Sequence, residues 1–371
     1  MKKGVLLINL GSPDSPSVKD VRKYLKQFLN DPFVIDINPI ARFCLVNFII
    51  VPTRSKNSAK LYEAIWTKEG SPLIVHSKKQ KELLQKSLTP NPSPAGEGNK
   101  YIVELGMRYS RRDSFGASPS IESALKNLKE KNVSEIIVLP LYPQYATSST
   151  KSSVEEVKRI IRKGKYPPVK FIEKFYDDEN YIEAMADVAK KYIAPPPPEG
   201  GKTGESVFDF PLRGIEGAWD FFIFSYHGLP ERQITKESSH CKINNECCSS
   251  INEHNKLCYR AGCFETTRRL AQKLNIPKEK YTISFQSRLD DKWLKPYSDK
   301  VIEEKAKQGI KKILVFSPAF VADCLETIYE IGTEYNYIFK NHGGEKLQLV
   351  ESLNENPKWI EALRNMVIGE Q

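Results

Sequence analysis

Short apolar runs alternate with amphipathic segments along almost the whole chain. The apolar runs predict buried strands, because they are too short for core helices, and the segments between them repeat at helical spacing. The predicted strands cover residues 5–10, 101–106, 135–141, 170–174, 221–225, 281–287 and 312–317. Strands that alternate with helices are typical of a parallel, doubly wound α/β sheet.

The chain of 371 residues is long enough for two such sheets. We therefore expect an α/β protein with two Rossmann-like lobes, each a parallel sheet flanked by helices, and a ligand cleft between them. The first lobe is predicted over residues 1–145 and the second over residues 146–344. The amphipathic tail predicts that residues 345–371 form a C-terminal helix that packs back on the first lobe.

The apolar stretch from Ile35 to Arg54 is broken by proline and allows two interpretations. It predicts either a core helix from Ile40 to Val51 or an apolar lip exposed at the surface. We take core packing as the default, with Cys44 as a small buried hydrophobe. Irregular stretches elsewhere are predicted to be surface insertions, at residues 89–100, 110–117 and 195–217.

The composition argues against a membrane-spanning chain and against nucleic-acid binding. Mean hydropathy is −0.46, and no apolar run approaches the roughly 18 residues that cross a bilayer. Lysine and arginine number 56 against 46 acidic residues, but they form no basic run with aromatic residues, so we expect no nucleic-acid partner. The first apolar run is too short for a signal peptide, which predicts a cytoplasmic protein. The formal charge of +10 leaves open a peripheral contact with the inner face of the membrane.

The strand predicted at residues 221–225 ends abruptly beside a histidine. Gly228 and Pro230 terminate it and leave Tyr226 and His227 at its carboxyl end, where open α/β sheets bind ligands. A neutral imidazole there can accept a proton or bind a metal ion near neutral pH. A histidine at a strand end can also be a hydrogen-bonded structural residue, and the strand pattern alone leaves both interpretations open.

Seven segments of the chain resemble segments of ferrochelatases, and they occur in the order found in that family. They are INLGSPDSP, YEAIWTKEGSPL, GMRY, LPLYPQYATSST, SYHGLPER, SFQSRL and SPAFVADCLETIYE. The resemblance covers nearly the whole chain and implies a class II chelatase with two chelatase-type lobes. It also implies a lyase that inserts Fe²⁺ into protoporphyrin IX, releases two protons and forms protohaem, the last step of haem biosynthesis.

The resemblance also implies roles for residues at the strand ends. His227 and Glu326 would be the catalytic pair and would handle the metal ion. The implied porphyrin-binding residues are Leu10, Arg108, Tyr109 and Tyr226. This mixture suits the reaction, because a flat apolar ring needs apolar walls, its propionates need partners such as arginine, and the displaced pyrrole protons need bases.

The roles of Glu326 and Cys324, in the last of these segments, have alternative interpretations. Without the resemblance, Glu326 would be a surface carboxylate favoured by the dipole of a helix first turn. Some ferrochelatases have histidine directly after the aspartate, where this chain has Cys324. The role of a thiol at that position stays open.

A cysteine-rich segment, residues 240–263, carries five of the seven cysteines. They are Cys241, Cys247, Cys248, Cys258 and Cys263. So many thiols in a polar stretch of a cytoplasmic chain indicate metal ligands, although the spacing lacks the paired C-x-x-C of common zinc sites. Some ferrochelatases carry a two-iron two-sulfur cluster, so the resemblance implies that four of the five could hold one. Zinc, or no metal, are the alternatives.

Rival functions remain at the level of sequence. The first is a chelatase for coproporphyrin, another tetrapyrrole or another metal. The second is a non-catalytic carrier of haem or an iron–sulfur cluster, in which the cysteines are the functional feature. A nucleotide-binding protein is disfavoured, because no glycine-rich phosphate-binding motif follows the first strand. The sequence leaves the oligomeric state open.

Overall fold

The computed structural model describes residues 2–89, 100–110, 119–193, 218–237 and 240–369. Most of the three insertions predicted from the sequence lie outside these ranges. Within them, strands and helices alternate along the chain as the pattern predicted.

The first sheet consists of four parallel strands in the order β2-β1-β3-β4. They are β1 (Lys3–Asn9), β2 (Tyr101–Met107), β3 (Ile136–Pro140) and β4 (Val169–Phe171). Every residue of β1 after Lys3 is buried, because helices cover both faces of the sheet. Leu6 and Ile8 belong to an outer core beneath α-helical residues such as Leu125, whereas Val5 and Leu7 face the centre of the molecule.

The second sheet repeats this arrangement in the order β6-β5-β7-β8, again with all strands parallel. Its strands are β5 (Phe221–His227), β6 (Tyr281–Gln286), β7 (Lys312–Phe316) and β8 (Lys346–Leu349). Two parallel sheets flanked by helices confirm the predicted fold class. The strand β8 was missed, because this short edge strand is only partly buried and leaves no apolar run in the sequence.

Helices connect the strands and cover the sheets. The first six are α1 (Val18–Leu29), α2 (Pro39–Cys44), α3 (Val51–Ile65), α4 (Pro72–Ser87), α5 (Ile121–Glu130) and α6 (Ser152–Ile161). The others are α7 (Glu179–Ile193), α8 (Glu231–Glu237), α9 (Tyr259–Lys273), α10 (Ser298–Lys307), α11 (Asn336–Asn341) and α12 (Pro357–Gly369). The π-helical segments Leu45–Ile50, Thr147–Lys151 and Glu326–Tyr335 each run directly into the next α-helix, and Lys278–Lys280 form a 3₁₀ turn.

One apolar core joins the inner faces of the two sheets. Leu7 and Leu139 of the first sheet and Phe224 and Phe316 of the second belong to the same cluster of buried residues. Trp359 of α12 is also fully buried in this cluster. The sheets are therefore fixed relative to each other by shared packing.

Two of the boundaries expected from the sequence differ from the observed elements. The first sheet extends beyond residue 145, because β4 is its edge strand. Residues 345–371 are not one helix, since β8 belongs to the second sheet and the helix begins only at Pro357. That helix, α12, packs against α4 and α7. The division into two lobes stays a prediction, with its boundary moved beyond β4.

A continuous helical rod runs from Pro39 to Ile65, and the default prediction of core packing for its first half was wrong. Only the inner side of this first half is buried, where Val46 and Val51 pack in one cluster with Leu29. The outer side carries Ile40, Phe43, Phe48 and Ile49, whose exposed fractions range from 56% to 76%. Cys44 is exposed as well. The exposed lip, defined by these four large side chains, was the correct alternative.

Candidate active site

His227 is the last residue of β5, at the carboxyl edge of the second sheet. Its ring Nδ1 lies 2.6 Å from the backbone oxygen of Gly228. A carbonyl oxygen only accepts hydrogen bonds, so Nδ1 carries the proton and Nε2 keeps the lone pair. The imidazole is only partly buried, and its centroid lies 6.4 Å from that of the Trp293 ring. Nε2 is therefore the nitrogen that can accept a proton or bind a metal ion.

The chain turns tightly after His227 because a glycine follows it. The N–H of Gly228 donates to the backbone oxygen of Gln286 at 2.8 Å. A Cβ on Gly228 would lie only 2.8 Å from that same oxygen, so a larger residue would push the end of β5 away from β6. This close approach fixes where the imidazole leaves the sheet.

Gln286 brings Glu326 to the same edge of the sheet. It is the ladder partner of His227 in the pairing of β5 with β6. Its side-chain Nε2 donates to the backbone oxygen of Glu326 at 3.2 Å. Glu326 opens the π-helical segment Glu326–Tyr335, which follows the loop after β7. The histidine and the glutamate singled out in the sequence are thus tied to one residue between them.

Aromatic side chains from the first lobe face Glu326. Burial raises the pKa of Tyr24 and of Tyr62 well above the usual value, and the negative charge of Glu326 adds to both shifts. The two phenol rings pack edge to face with centroids 6.3 Å apart. We call the apolar surface around them the aromatic cluster, and it consists of Leu10, Tyr24, Tyr62, Trp66, Leu325 and Tyr329. Glu326 therefore lies where the two lobes meet.

Glu330 is a second acidic residue at this site, and the sequence pattern did not single it out. Its Oε1 accepts hydrogen bonds from the backbone N–H of Ser287 and from the hydroxyl of Tyr335, both at 2.8 Å. Burial raises its pKa; the nearby charge of Glu326 also raises it, whereas a charged His227 lowers it. A signal was present, because Glu330 follows Glu326 by one helical turn within the run ADCLETIYE.

Arg108 and Tyr109, predicted to bind porphyrin, are held by a buried carboxylate instead of being free. Oδ2 of Asp31 accepts hydrogen bonds from Arg108 Nη2 at 2.6 Å, from the Tyr109 hydroxyl at 2.9 Å and from Ser152 Oγ at 2.7 Å. Tyr109 is fully buried and packs edge to face on Phe28, with centroids 5.1 Å apart. The pair forms the wall behind the aromatic cluster.

Tyr226 lies on the opposite face of β5 from His227, since successive strand residues alternate. Its side chain is fully buried, and its hydroxyl lies 2.8 Å from Thr267 Oγ1 of α9. Leu10, by contrast, is partly buried within the aromatic cluster. Of the four predicted porphyrin-binding residues, Leu10 belongs to the aromatic cluster beside Glu326, and Tyr226 lies in the core.

Comparison with known proteins decides the family. The sequence matches the family model described as Ferrochelatase over residues 2–371. The chain is 43% identical to a protein named Ferrochelatase from Coxiella burnetii, over 98% of this chain and 93% of the relative. It is 40% identical to a Ferrochelatase of Pseudomonas fluorescens, covering 98% and 96%, and 38% identical to one of Bdellovibrio bacteriovorus, covering 99% and 98%. The chain belongs to the ferrochelatase family.

In this ferrochelatase, Cys324 occupies the position at which some relatives were expected to have histidine. The thiol is buried, and burial together with the charge of Glu326 raises its pKa well above the usual value. The backbone N–H of Cys324 donates to Thr327 Oγ1 at 3.0 Å, so the backbone just before the π-helical segment is held by a threonine within it.

Three thiols of the cysteine-rich segment are close neighbours. The Sγ atoms of Cys241 and Cys247 lie 3.9 Å apart. Burial, a hydrogen bond with Cys247 and the nearby Cys258 raise the pKa of Cys241 to about 11, to which burial contributes most. Cys248 is buried, with Sγ 3.0 Å from Nη1 of Arg260. Cys263 is fully buried in the core on α9.

The described residues contain no preformed metal site. Across the part of the chain that the structure describes, no group of three or more His, Cys, Asp or Glu side chains is arranged to hold a metal ion. The same described residues contain no helix that is both long and apolar enough to cross a bilayer.

Proposed function

We propose that this ferrochelatase inserts Fe²⁺ into protoporphyrin IX, with His227 and Glu326 as the catalytic pair. Its family makes it a lyase that places iron in a porphyrin during haem synthesis. The observation that supports the residue assignment is the convergence of His227, Glu326 and Glu330 at one edge of the second sheet. Iron is a substrate here and leaves with the product.

The proposed porphyrin surface is the aromatic cluster. It is apolar, it lies beside Glu326, and it contains Leu10. We assign Arg108 and Tyr109 to the wall behind this surface, because Asp31 already binds both side chains. Tyr226 is left out of the binding surface, because its hydroxyl is engaged in the core. A flat ring lying on the cluster would have its pyrrole nitrogens close to the acidic edge of the second sheet.

The three ionisable side chains can receive the two protons that iron displaces. We propose that Nε2 of His227 takes one pyrrole proton and the carboxylate of Glu326 takes the other. Burial raises the pKa of Glu330, so its carboxylate is a better proton acceptor than an exposed one and can relieve the pair. Protonation of His227 also lowers the pKa of Glu330, which favours onward release of the proton it holds. Two protons are thus removed for each iron inserted.

Anaerobic insertion of Fe²⁺ into protoporphyrin, followed by the haem spectrum, tests the proposal. Loss of a general base lowers kcat by about 10² to 10⁴-fold, so Glu326→Gln is expected to lose at least a hundredfold. The matched control is Glu361→Gln, which makes the same change at an exposed position of α12. Near-normal turnover of Glu326→Gln would contradict the assignment.

The same assay separates the rival functions. If the protein inserted iron into coproporphyrin but not into protoporphyrin, coproporphyrin would be assigned as the substrate. If the wild-type protein used neither porphyrin, the carrier alternative would replace the enzyme, and a sharp Soret band in the purified protein would support haem carriage.

We further propose that the cysteine-rich segment holds a two-iron two-sulfur cluster. Two thiolates on one tetrahedral metal lie about 3.8 Å apart, close to the 3.9 Å between Cys241 and Cys247. Cys258 and Cys248 lie close to this pair, because, beside the larger effect of burial, the charge of Cys258 raises the pKa of Cys241 and the charge of Cys247 raises the pKa of Cys248. The proposed ligands are therefore Cys241, Cys247, Cys248 and Cys258. Such a cluster would supply a one-electron redox centre and cross-link the segment.

Iron and sulfide analysis of anaerobically purified protein tests the cluster. The wild-type protein is expected to be brown and to contain about two iron atoms and two sulfide ions per chain, the composition of one cluster. Cys247→Ser should lose the colour, whereas Cys44→Ser should keep it, because Cys44 lies on the exposed rod. If the protein contained zinc and no sulfide, the segment would be a zinc site and not a cluster site. If it contained no metal, both the cluster and the zinc site would be refuted.

The exposed lip is proposed to contact the inner face of the cytoplasmic membrane. Its aromatic rings, Phe43 and Phe48, pack edge to face at 6.1 Å and remain open to solvent. The rod that carries them continues to Tyr62 in the aromatic cluster, so an apolar porphyrin leaving the bilayer would arrive beside the proposed site. Sedimentation with anionic phospholipid vesicles should retain wild type and release Phe48→Ser. Tyr337→Ser, at an exposed aromatic position elsewhere, should behave as wild type.

A further inference from the structure

The carboxyl end of β5 is held unevenly. Its pairing with β7 ends at Phe224, opposite Phe316, whereas its pairing with β6 continues to His227. The last three residues of β5, including His227, therefore lack ladder partners on the β7 side. Something else must fix the backbone there if the imidazole is to keep one position.

Tyr259 supplies a hydrogen bond at this point. Its hydroxyl donates to the backbone oxygen of His227 at 2.8 Å. The side chain is buried, and a phenol hydroxyl is a neutral donor near neutral pH.

The position of Tyr259 is set by the cysteine-rich segment. Tyr259 is the first residue of α9, directly after Cys258, which is the N-cap. Asn255 pins the segment, because its Nδ2 donates to the backbone oxygens of Cys247 at 3.0 Å and Ser250 at 2.8 Å. The N–H of Cys258 in turn donates to the backbone oxygen of Asn255 at 2.8 Å. These bonds and the peptide bond between Cys258 and Tyr259 form a continuous path from the backbone of Cys247 to that of His227.

We propose that Tyr259 is a positioning residue through which the cysteine-rich segment fixes the imidazole of His227. The inference rests on the proposed role of His227 and adds a dependence on the segment that the reaction itself does not require. When the segment is ordered, Tyr259 holds the end of β5 and the Nδ1 bond to Gly228. When it loosens, the imidazole loses its fixed orientation while the porphyrin surface is unchanged.

Tyr259→Phe removes only the hydroxyl and tests the proposal. Misplacing a catalytic group costs up to about a hundredfold, and losing one hydrogen bond about tenfold, so kcat should fall about tenfold with KM for porphyrin unchanged. The matched control is Tyr176→Phe, since Tyr176 donates in the same way to the backbone oxygen of Lys256 in the same segment. A merely structural role would affect both variants alike.

A second readout is independent of iron insertion. The chain has five histidines, so the ring signals of His227 can be assigned in the NMR spectrum of the metal-free protein by comparison with His227→Gln. Tyr259→Phe is expected to change the chemical shifts and tautomer signals of the His227 ring, and Tyr176→Phe, which removes one bond to the segment but keeps the bond to His227, to change them much less. Asn255→Ala, which releases the segment without touching His227, should shift them in the same direction by less.

The outcomes distinguish this inference from the proposed function. If Tyr259→Phe left both kcat and the His227 signals unchanged, or if Tyr176→Phe changed them equally, Tyr259 would not position His227. If the wild-type protein failed to insert iron, the proposed function would fail, but the NMR comparison would still decide whether Tyr259 fixes the imidazole.

Discussion

Replacement of Asp31 by alanine should destabilise the protein strongly while leaving the catalytic pair untouched. Three donors converge on its Oδ2, from Arg108, Tyr109 and Ser152, and the Asp31 side chain is only 2% exposed. Hydrogen bonds to a charged group contribute about 1.5–3 kcal/mol each, and part of that sum offsets the cost of burying the carboxylate. Removing one member of a buried ion pair costs about 3–5 kcal/mol, and we expect Asp31→Ala to lie near 4 kcal/mol.

A double-mutant cycle shows whether the pair itself is responsible. Most of the cost of Asp31→Ala comes from leaving the Arg108 guanidinium, 14% exposed, without a counter-charge. Arg108→Met removes that charge, so the double variant should recover about 2 kcal/mol relative to the sum of the single changes. Unfolding free energies from urea titrations, followed by far-UV circular dichroism, provide the measurement.

The control for this experiment is a comparable pair at the surface. Arg232 binds Asp36 through Nε at 2.9 Å and Nη2 at 2.7 Å, but its side chain is 55% exposed. Asp36→Ala should therefore cost at most about 1 kcal/mol. If Asp31→Ala also cost less than about 1 kcal/mol and instead weakened porphyrin binding, Arg108 would be a porphyrin ligand and its assignment to the wall would be refuted.

Two further predictions concern the edge of the second sheet. Burial raises the pKa of Glu330 above 4.5, so the folded protein binds its proton more tightly and stability falls as pH rises through the folded pKa. Glu330→Gln should flatten this fall in urea midpoint between pH 4.5 and neutrality, and an unchanged slope would contradict the burial argument. Gly228→Ala should lower both the melting temperature and kcat, because its Cβ would meet the backbone of Gln286, whereas Gly369→Ala, in open space, should change neither.

The fold class could be predicted from the sequence because parallel sheets covered on both faces produce a simple pattern of apolar residues. A buried strand such as β5 is apolar at nearly every position, and the helices between strands carry apolar residues at helical spacing. Both signals are local. The edge strand β8 was missed because it lacks such a local signal. An edge strand needs little apolar surface, and its pairing with β7 is a long-range contact.

The candidate site was predicted in part. His227 could be found because a strand end and its glycine are visible in the sequence, and Glu326 because of the resemblance of its motif to the family. The sequence could not show that Asp31, distant along the chain, would bind Arg108 and Tyr109. Nor could it show that the apolar side chains around Phe48 would remain exposed, because hydrophobicity records only a tendency to be buried.

The sequence by itself therefore determined the alternating elements and the family, and it named His227 and Glu326 as candidates at the motif centres. Only the tertiary structure decided how polar side chains are shared. Glu330 lies close enough to His227 for their charges to interact, and Asp31 binds Arg108. Tyr259 connects the cysteine-rich segment to the end of β5. Periodicity along a chain reports which face of an element is buried, but hydrogen-bond partners are set by distances between elements that only the packed fold brings together.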